Sequence, residues 1–424
     1  MRTSSRYVVA VSVVVLLAVV AVAGYWYQAQ RAAPGRSAGG MTVNVTSGAD
    51  RGPGSLREAL FLVAAANEGA TISIQVPRIA LETALPPIVS SHGLRIVARA
   101  AGAEIDAQAL RGASALDVAG SNISLEGLAI RHCSGAGILL RAVHFNLEST
   151  TIEACDVGID VAENASDVLL ERNRFVGNRI GVRFAASAAN TSVVKNEFSG
   201  SKDAGLWAVR SAPNERSAAI NVRENRFADD RIGMVVGNIA LLIERNELNN
   251  AREAAVHLVG AGAIVRGNRI NGGASMGVIA ENARAAIIDD NEMAGLTAYG
   301  IMVRGSSNTL VRNNRLQTCG YGMAFVLNDA KSPSTAVENT VIEPKFNGID
   351  VIGDSPILRR NHVLRPHALA LKVQDFRQPG GQTVIAKPFL DNNAFGAAGA
   401  TQKTGASIAS GSAPARTADV ASSR

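Results

Sequence analysis

Residues 222–237, VRENRFADDRIGMVVG, hold the phrase that decides the fold. An Asn is followed two places on by an apolar residue, and a few places later by a Gly–apolar step. The phrase returns at Asn173, Asn196, Asn225, Asn246, Asn268, Asn291, Asn314, Asn339 and Asn361, with steps of 23, 29, 21, 22, 23, 23, 25 and 22 residues. The apolar partner is Phe175, Phe198, Phe227, Leu248, Ile270, Met293, Leu316, Val341 or Val363. Two degenerate copies extend the series upstream: Leu147–Thr150–Ile152–Gly158 and Leu125–Leu128–Ile130–Gly137.

A period of 20 to 30 residues is the mark of a solenoid. The L-x-x-L-x-L signature of leucine-rich repeats is missing, and so is helical periodicity. Each copy instead shows short alternating runs such as GVRF and GIDV between Gly, Asn and charged residues, as short strands do. Parallel strand connections turn right-handed. The expected fold is therefore all-β, a right-handed parallel β-helix of about twelve turns. Asn tolerates a left-handed corner, and stacked carboxamides bond to one another from turn to turn. Nine repeated Asn read as structure, not catalysis. The residue after each Asn alternates in charge: Arg174, Glu197, Arg226, Glu247, Arg269, Glu292, Arg315. Such alternation suits a solvent-facing ladder whose neighbours lie one turn apart.

The chain has 424 residues, 47% hydrophobic but only 4% aromatic, with 41 Gly; a core of Ile, Val, Leu and Ala suits stacked strands. The net charge of +6 comes from interspersed charges. No basic stripe with interleaved aromatics is present, so nucleic acid is not expected as a partner. Residues 7–27, YVVAVSVVVLLAVVAVAGYWY, carry no charge. At about 1.5 Å per residue they are long enough for a bilayer core of about 30 Å. They read as a transmembrane signal-anchor, with the body in the periplasm or outside the cell; the alternative is a signal peptide cleaved after Ala23. Residues 28–40 read as a linker, 41–396 as the β-helix and 397–424 as a disordered tail.

An open β-helix end needs a cap. Residues 55–69, SLREALFLVAAANEG, read as a capping helix: Ser55 and Glu58 make a capping box, and Leu56, Leu60, Leu62 and Val63 can face the core. The stretch SGADRGPGSLREALFLVAAANEG, with IALETALPPI and LRIVARAAGAEIDAQ after it, resembles the opening of exported β-helix proteins of the pectin-lyase-like superfamily. The resemblance runs from about Thr42 to about Leu390. It implies architecture, for the superfamily includes lyases, hydrolases, epimerases and non-catalytic surface proteins.

Two copies carry insertions at one loop position, RSAPNERSAA before Asn225 and NDAKSPSTA before Asn339. They stand as walls of a groove or as tolerated loop growth. Cys133 and Cys155 occupy one repeat slot and should stack within disulfide range; Cys319 takes that slot later and stays unpaired. No metal-binding spacing of Cys or His occurs.

The strand after the Gly points outward with Asp160, Arg183, Trp207, Val235, His257, Ile279, Met302, Ala324, Asp350 and Lys372. Asp160, Arg183, Trp207 and His257 form the candidate substrate face: an aromatic ring stacks on sugars, and Arg pairs with uronate carboxylates. The superfamily's lyases bind calcium with clustered acidic residues, but Asp160 and Asp350 stand eight turns apart, so no cofactor is expected. Its hydrolases need closely spaced carboxylates; the adjacent pairs Asp229–Asp230 and Asp289–Asp290 sit at repeat corners. Its epimerases carry Asp-Pro-His, and Arg365-Pro366-His367 lacks the carboxylate. Three functions remain open. The leading one is an envelope protein that binds acidic polysaccharide. The second is a polysaccharide lyase or epimerase. The third is a scaffold whose strip Val235, Ile279, Met302 and Ala324 docks a protein.

Overall fold

A computed structural model describes residues 40–410, except 67, 100–101, 186–187, 210–219, 240, 261, 274–275, 397–400 and 405–408. The apolar segment 7–27, the linker up to 39 and the insertion 210–219 lie outside the described residues. Among those described, no helix is long and apolar enough to cross a membrane.

The alternating runs of the repeat become three short strands per coil. In the coil of Asn225 these are Ile220–Arg223, Arg226–Ala228 and Ile232–Gly237. Twelve successive three-strand coils run from Leu94 to Gln374. Each strand pairs in parallel with its counterparts in the coils before and after, so three long sheets form, of 16, 14 and 13 strands. Among the described residues the one antiparallel pair is the hairpin Phe376–Arg377 with Thr383–Val384. Part of the stretch read as a disordered tail extends this stack: Thr401–Thr404 pairs with Leu371–Gln374, and Ala409 and Ser410 with Phe389 and Leu390. The last coil leaves open edges that accept further strands.

The Asn column is buried and continuous. Each Nδ2 donates to the Oδ1 of the next Asn at 2.9–3.0 Å, from Asn173 through Asn361. Each backbone N–H reaches the same oxygen at 2.8–3.1 Å. The ladder adds a tenth member, Asn393, beyond Asn361 at 3.0 Å. A 32-residue step, lengthened by the hairpin, hides it in the sequence. At the other end Thr150 takes the slot and donates its N–H to Asn173 Oδ1 at 3.0 Å.

One detail differs from the expectation. The left-handed residue at the corner is not the Asn but the one before it: Arg172, Lys195, Glu224, Arg245, Asp290, Asn313, Glu338 and Arg360 have φ of 48–56°. A second left-handed corner falls four places after the Asn, at Asp229, Asn250, Thr318, Glu343 and Arg365, or at a Gly. The Asn must aim its amide inward to meet its neighbours, so the exposed residue beside it takes the strained conformation. That costs about 1–2 kcal/mol per residue, offset by the bonds the ladder makes.

Inside, Phe175, Phe198 and Phe227 stack with ring centroids 4.8 and 4.5 Å apart. In most coils a Gly near the start of the third strand makes room for the next coil, and Ala255 takes that place in one. A Cβ on Gly181 would lie 2.8 Å from Phe198, and one on Gly205 2.7 Å from Phe227.

The helix Leu56–Ala65 packs on strands Met41–Val45 and Ala70–Ile74 at the start of the stack. Ser55 Oγ accepts from the Glu58 N–H at 3.2 Å, and Glu58 accepts from Gly54 N–H at 2.6 Å. Leu56, Ala59, Leu60 and Val63 are buried; Leu62, expected inside, is exposed with Phe61. The spacing explains it, because positions 56, 59, 60 and 63 share one helical face and 62 does not.

Candidate functional site

Outward residues of the third strands form one column, because the register never slips. Cα partners run Asp160–Arg183–Trp207–Val235–His257–Ile279–Met302–Ala324–Asp350–Lys372. The four candidate residues thus share one sheet surface, with Asp160, Arg183 and Trp207 adjacent and His257 two strands beyond Trp207.

At this end the charges satisfy one another. Arg183 makes a two-point bond to Asp160, at 2.9 and 2.5 Å. Beside it runs a second alternating ladder: Arg179 bonds Asp156 at 2.6 and 3.0 Å and Asp203 at 2.8 Å, and Arg231 bonds Glu253 at 2.7 Å. His257 Nε2 stands 3.2 Å from Glu281. Arg183 is therefore already committed, and only its remaining edge can meet a ligand. Trp207 is half-buried between Arg183 and Val235.

The apolar strip is less open than its alternation promised. Val235 is 5% exposed and Ala324 0%, leaving Ile279 and Met302 half-exposed. Asp350 is also enclosed, at 3% exposure. Tyr299 Oη donates to it at 3.0 Å and Asn347 Nδ2 at 2.8 Å. Burial pushes the Asp350 carboxyl above the usual carboxylate range, against those two hydrogen bonds and the nearby Lys372.

Tyr299 begins a feature that the sequence reading passed over. Its ring stacks on Tyr321 at 4.5 Å, and Tyr321 stacks on Phe346 at 4.8 Å. The signal was present in part: Tyr299 and Tyr321 each stand directly before the Gly–apolar step, in successive copies.

Cys133 and Cys155 form a disulfide between adjacent coils, with Cα atoms 4.2 Å apart. Cys319 is buried and free, and burial raises its thiol pKa to about 11. The same slot holds Asn178, Ser201 and Asp230. Asp230 is buried; Oδ1 accepts the Ser201 N–H at 2.7 Å, and Oδ2 has no partner among the described residues. Burial raises its pKa to about 6. Neither adjacent acidic pair forms a carboxylate dyad: Asp229 is exposed while Asp230 points inward, and Asp289 is held by Arg312 at 3.0 and 2.9 Å while Asp290 is exposed at the corner. Among the described residues no group of three His, Cys, Asp or Glu side chains is placed to hold a metal ion.

Comparison with known proteins bears on this architecture. The family described as "right handed beta helix region" matches residues 90–215 and 214–363. The chain belongs to this right-handed β-helix family. No curated protein matches. Among solved structures, the fold is similar to the tailspike protein of E. coli bacteriophage HK620, solved with a hexasaccharide, at 11% identity and a TM-score of 0.55, covering 79% of this chain and 71% of that one. It is also similar to the catalytic unit of an α-1,3-glucanase from Streptomyces thermodiastaticus, at 12% identity and a TM-score of 0.50, covering 88% and 70%. At such identities the likeness is one of fold alone.

Proposed function

We propose that this β-helix binds polysaccharide along the outer column of its third sheet, as an exported protein of the cell envelope. One observation carries the reading: ten successive coils place one residue each on a single unslipped line, seven of them partly open to solvent, with an indole among these. A sheet surface repeating at about 4.8 Å is a flat, rigid track, suited to an extended polymer. Trp207 supplies a stacking face, and the free edge of Arg183 supplies donors for sugar hydroxyls or carboxylates. The fold is compatible with such a ligand, since a tailspike of this architecture is described with a bound hexasaccharide and another relative in fold is named a glucanase.

The remaining parts follow from this placement. Residues 7–27 would export the chain and hold it at the membrane, and the helix Leu56–Ala65 would cover the first coil. Extraction of membranes with carbonate and N-terminal sequencing of the mature chain decide between an anchor and cleavage after Ala23.

The binding test is a glycan array probed with the full chain in detergent. Binding of one or more polymers, reduced about fivefold or more in Trp207→Ala, is the expected result; a fully stacked aromatic contributes on the order of 1 kcal/mol. An array without signal, or signal indifferent to Trp207→Ala and Arg183→Ala alike, removes the reading.

A further inference from the structure

The stack Tyr299–Tyr321–Phe346 climbs one ring per coil and then stops. Ala368, whose N–H bonds the Phe346 carbonyl at 3.3 Å, stands on the next rung. The stack therefore ends on a side chain of one carbon, and Phe346 keeps 49% of its surface open. Large apolar side chains this exposed are few on the described surface. Its inner neighbour is held from below, because Tyr321 rests on Tyr299 and Tyr299 is fixed by its bond to Asp350. The open ring is thus a rigid platform and not a loose side chain.

The charges around it differ from those at Asp160. Lys345 is the residue before Phe346, and Lys372 pairs in register with Asp350 one coil on. Among the described residues neither ammonium makes an ion pair, whereas Arg179, Arg183 and Arg231 are all engaged. His367 lies one coil beyond Lys345, its N–H on the Pro344 carbonyl at 3.1 Å. The nearby acid Glu343 is taken up by Arg365 at 2.9 Å. Asp350, the other acid, is enclosed and receives two hydrogen bonds. The patch therefore offers an apolar ring and positive charge with no uncommitted exposed carboxylate beside it.

We propose that Phe346, Lys345 and Lys372 form a subsite for one or two hexuronate rings. A pyranose lies on Phe346 in the rung that Ala368 leaves unfilled, with its carboxylate toward the lysines. Aromatic faces hold the C–H face of a sugar ring, and free ammonium groups prefer an anionic ligand to a neutral one. The proposal rests on the reading of the third sheet as a glycan track, and places its acid-selective end six strand steps, about 29 Å, from Trp207. Tyr299, Asn347 and Asp350 act as positioning residues that hold the platform.

The test uses the full chain in detergent and calorimetric titration with tri-galacturonate, too short to reach both Trp207 and Phe346. Expected results are saturable binding, a loss of at least tenfold in Phe346→Ala, and a three- to tenfold loss in Lys345→Gln and in Lys372→Gln that disappears in 1 M salt. Maltotriose, its neutral counterpart, should bind at least tenfold more weakly, and the component of trimer binding that Phe346→Ala removes should persist in Trp207→Ala. Trimer binding lost in Trp207→Ala but kept in Phe346→Ala overturns the subsite while leaving the glycan track standing. Equal affinity for maltotriose overturns the acid selectivity, and polymer binding without any trimer binding overturns the subsite. If the trimer binds through Phe346 while polymers ignore Trp207, the subsite stands and the longer track falls. All these substitutions are on the surface, and circular dichroism of each variant confirms that the solenoid is intact.

Discussion

Asn246 and Glu247 are neighbours in the chain and belong to ladders of opposite character. Asn246 is buried and bonded to Asn225 on one side and Asn268 on the other, at 3.0 Å each. Glu247 is exposed and in register with Arg226 and Arg269, yet no ion pair closes to either. Of the six junctions between Arg174 and Arg315, those at Arg174–Glu197 and Arg269–Glu292 come within 4 Å, at 3.3 and 3.2 Å. Inside, no water competes, so one residue type must repeat and every bond must be made. Outside, water screens each pair, so alternation suffices to avoid repulsion and contact is optional.

The largest effect that follows is at the inner ladder. Asn246→Ala removes the acceptor for the Asn225 N–H and the donor to the Val222 carbonyl, bonds of 3.0 and 2.9 Å. Buried groups left without partners cost about 1–3 kcal/mol each. A loss of about 3–5 kcal/mol is expected by denaturant unfolding, or by local hydrogen exchange in the coils around Asn246 if the solenoid unfolds in parts. A loss below 1 kcal/mol would mean that water replaces the carboxamide and that the two ladders differ less than they seem.

A middle-sized effect comes from the one acid that sits where an amide would serve. Asp230 occupies the slot of Asn178, which accepts the Cys155 N–H at 2.9 Å and donates to the Ile152 carbonyl at 2.9 Å. Asp230 repeats the first bond to Ser201, but ionised it has no proton for the second. Burial lifts its pKa in the fold to about 6, above the 3.8 of an ordinary aspartate. The folded state thus prefers the protonated acid. Stability is fully present below about pH 4 and is lost as pH rises through about 6. The shift corresponds to on the order of 3 kcal/mol. Asp230→Asn should remove this dependence and stabilise the protein above pH 7 by that order, with little change at pH 4. A variant less stable than the parent above pH 7, where Asp230 is ionised, would show that the fold favours the charged acid over the amide and would overturn this reading.

This contrast also explains what could be read in advance. Buried ladders repeat their letters, so the β-helix, its register and the stacking of Cys133 on Cys155 were legible from spacing. A binding site is the reverse: it is a departure from the column. Trp207 was visible as one indole in a line of smaller residues. Phe346 was not, because it stands two places before Gly348, whereas Tyr299 and Tyr321 stand one place before Gly300 and Gly322. That single extra residue hid the stack from any fixed-offset comparison. The bond between Arg183 and Asp160 was equally hidden, since register shows which residues are neighbours but not whether their charges close on each other. Leu62 was misplaced for a similar reason: being apolar did not settle which face of the helix carried it.

The smallest effect is at the outer ladder. Arg269 and Glu292 are 3.2 Å apart, with side chains 66% and 60% exposed. A double-mutant cycle on Arg269→Ala and Glu292→Ala should give a coupling of about 0.5 kcal/mol or less, vanishing in 1 M salt, where the Debye length is about 3 Å. Arg226 and Glu247, in register but not in contact, supply the control and should show less. Coupling above 1 kcal/mol that survives salt would mean that the outer ladder, too, fixes the stacking. The alternation of Arg and Glu along the second sheet would then be a second source of register, and the inner carboxamides could not be credited with holding the coils in step alone.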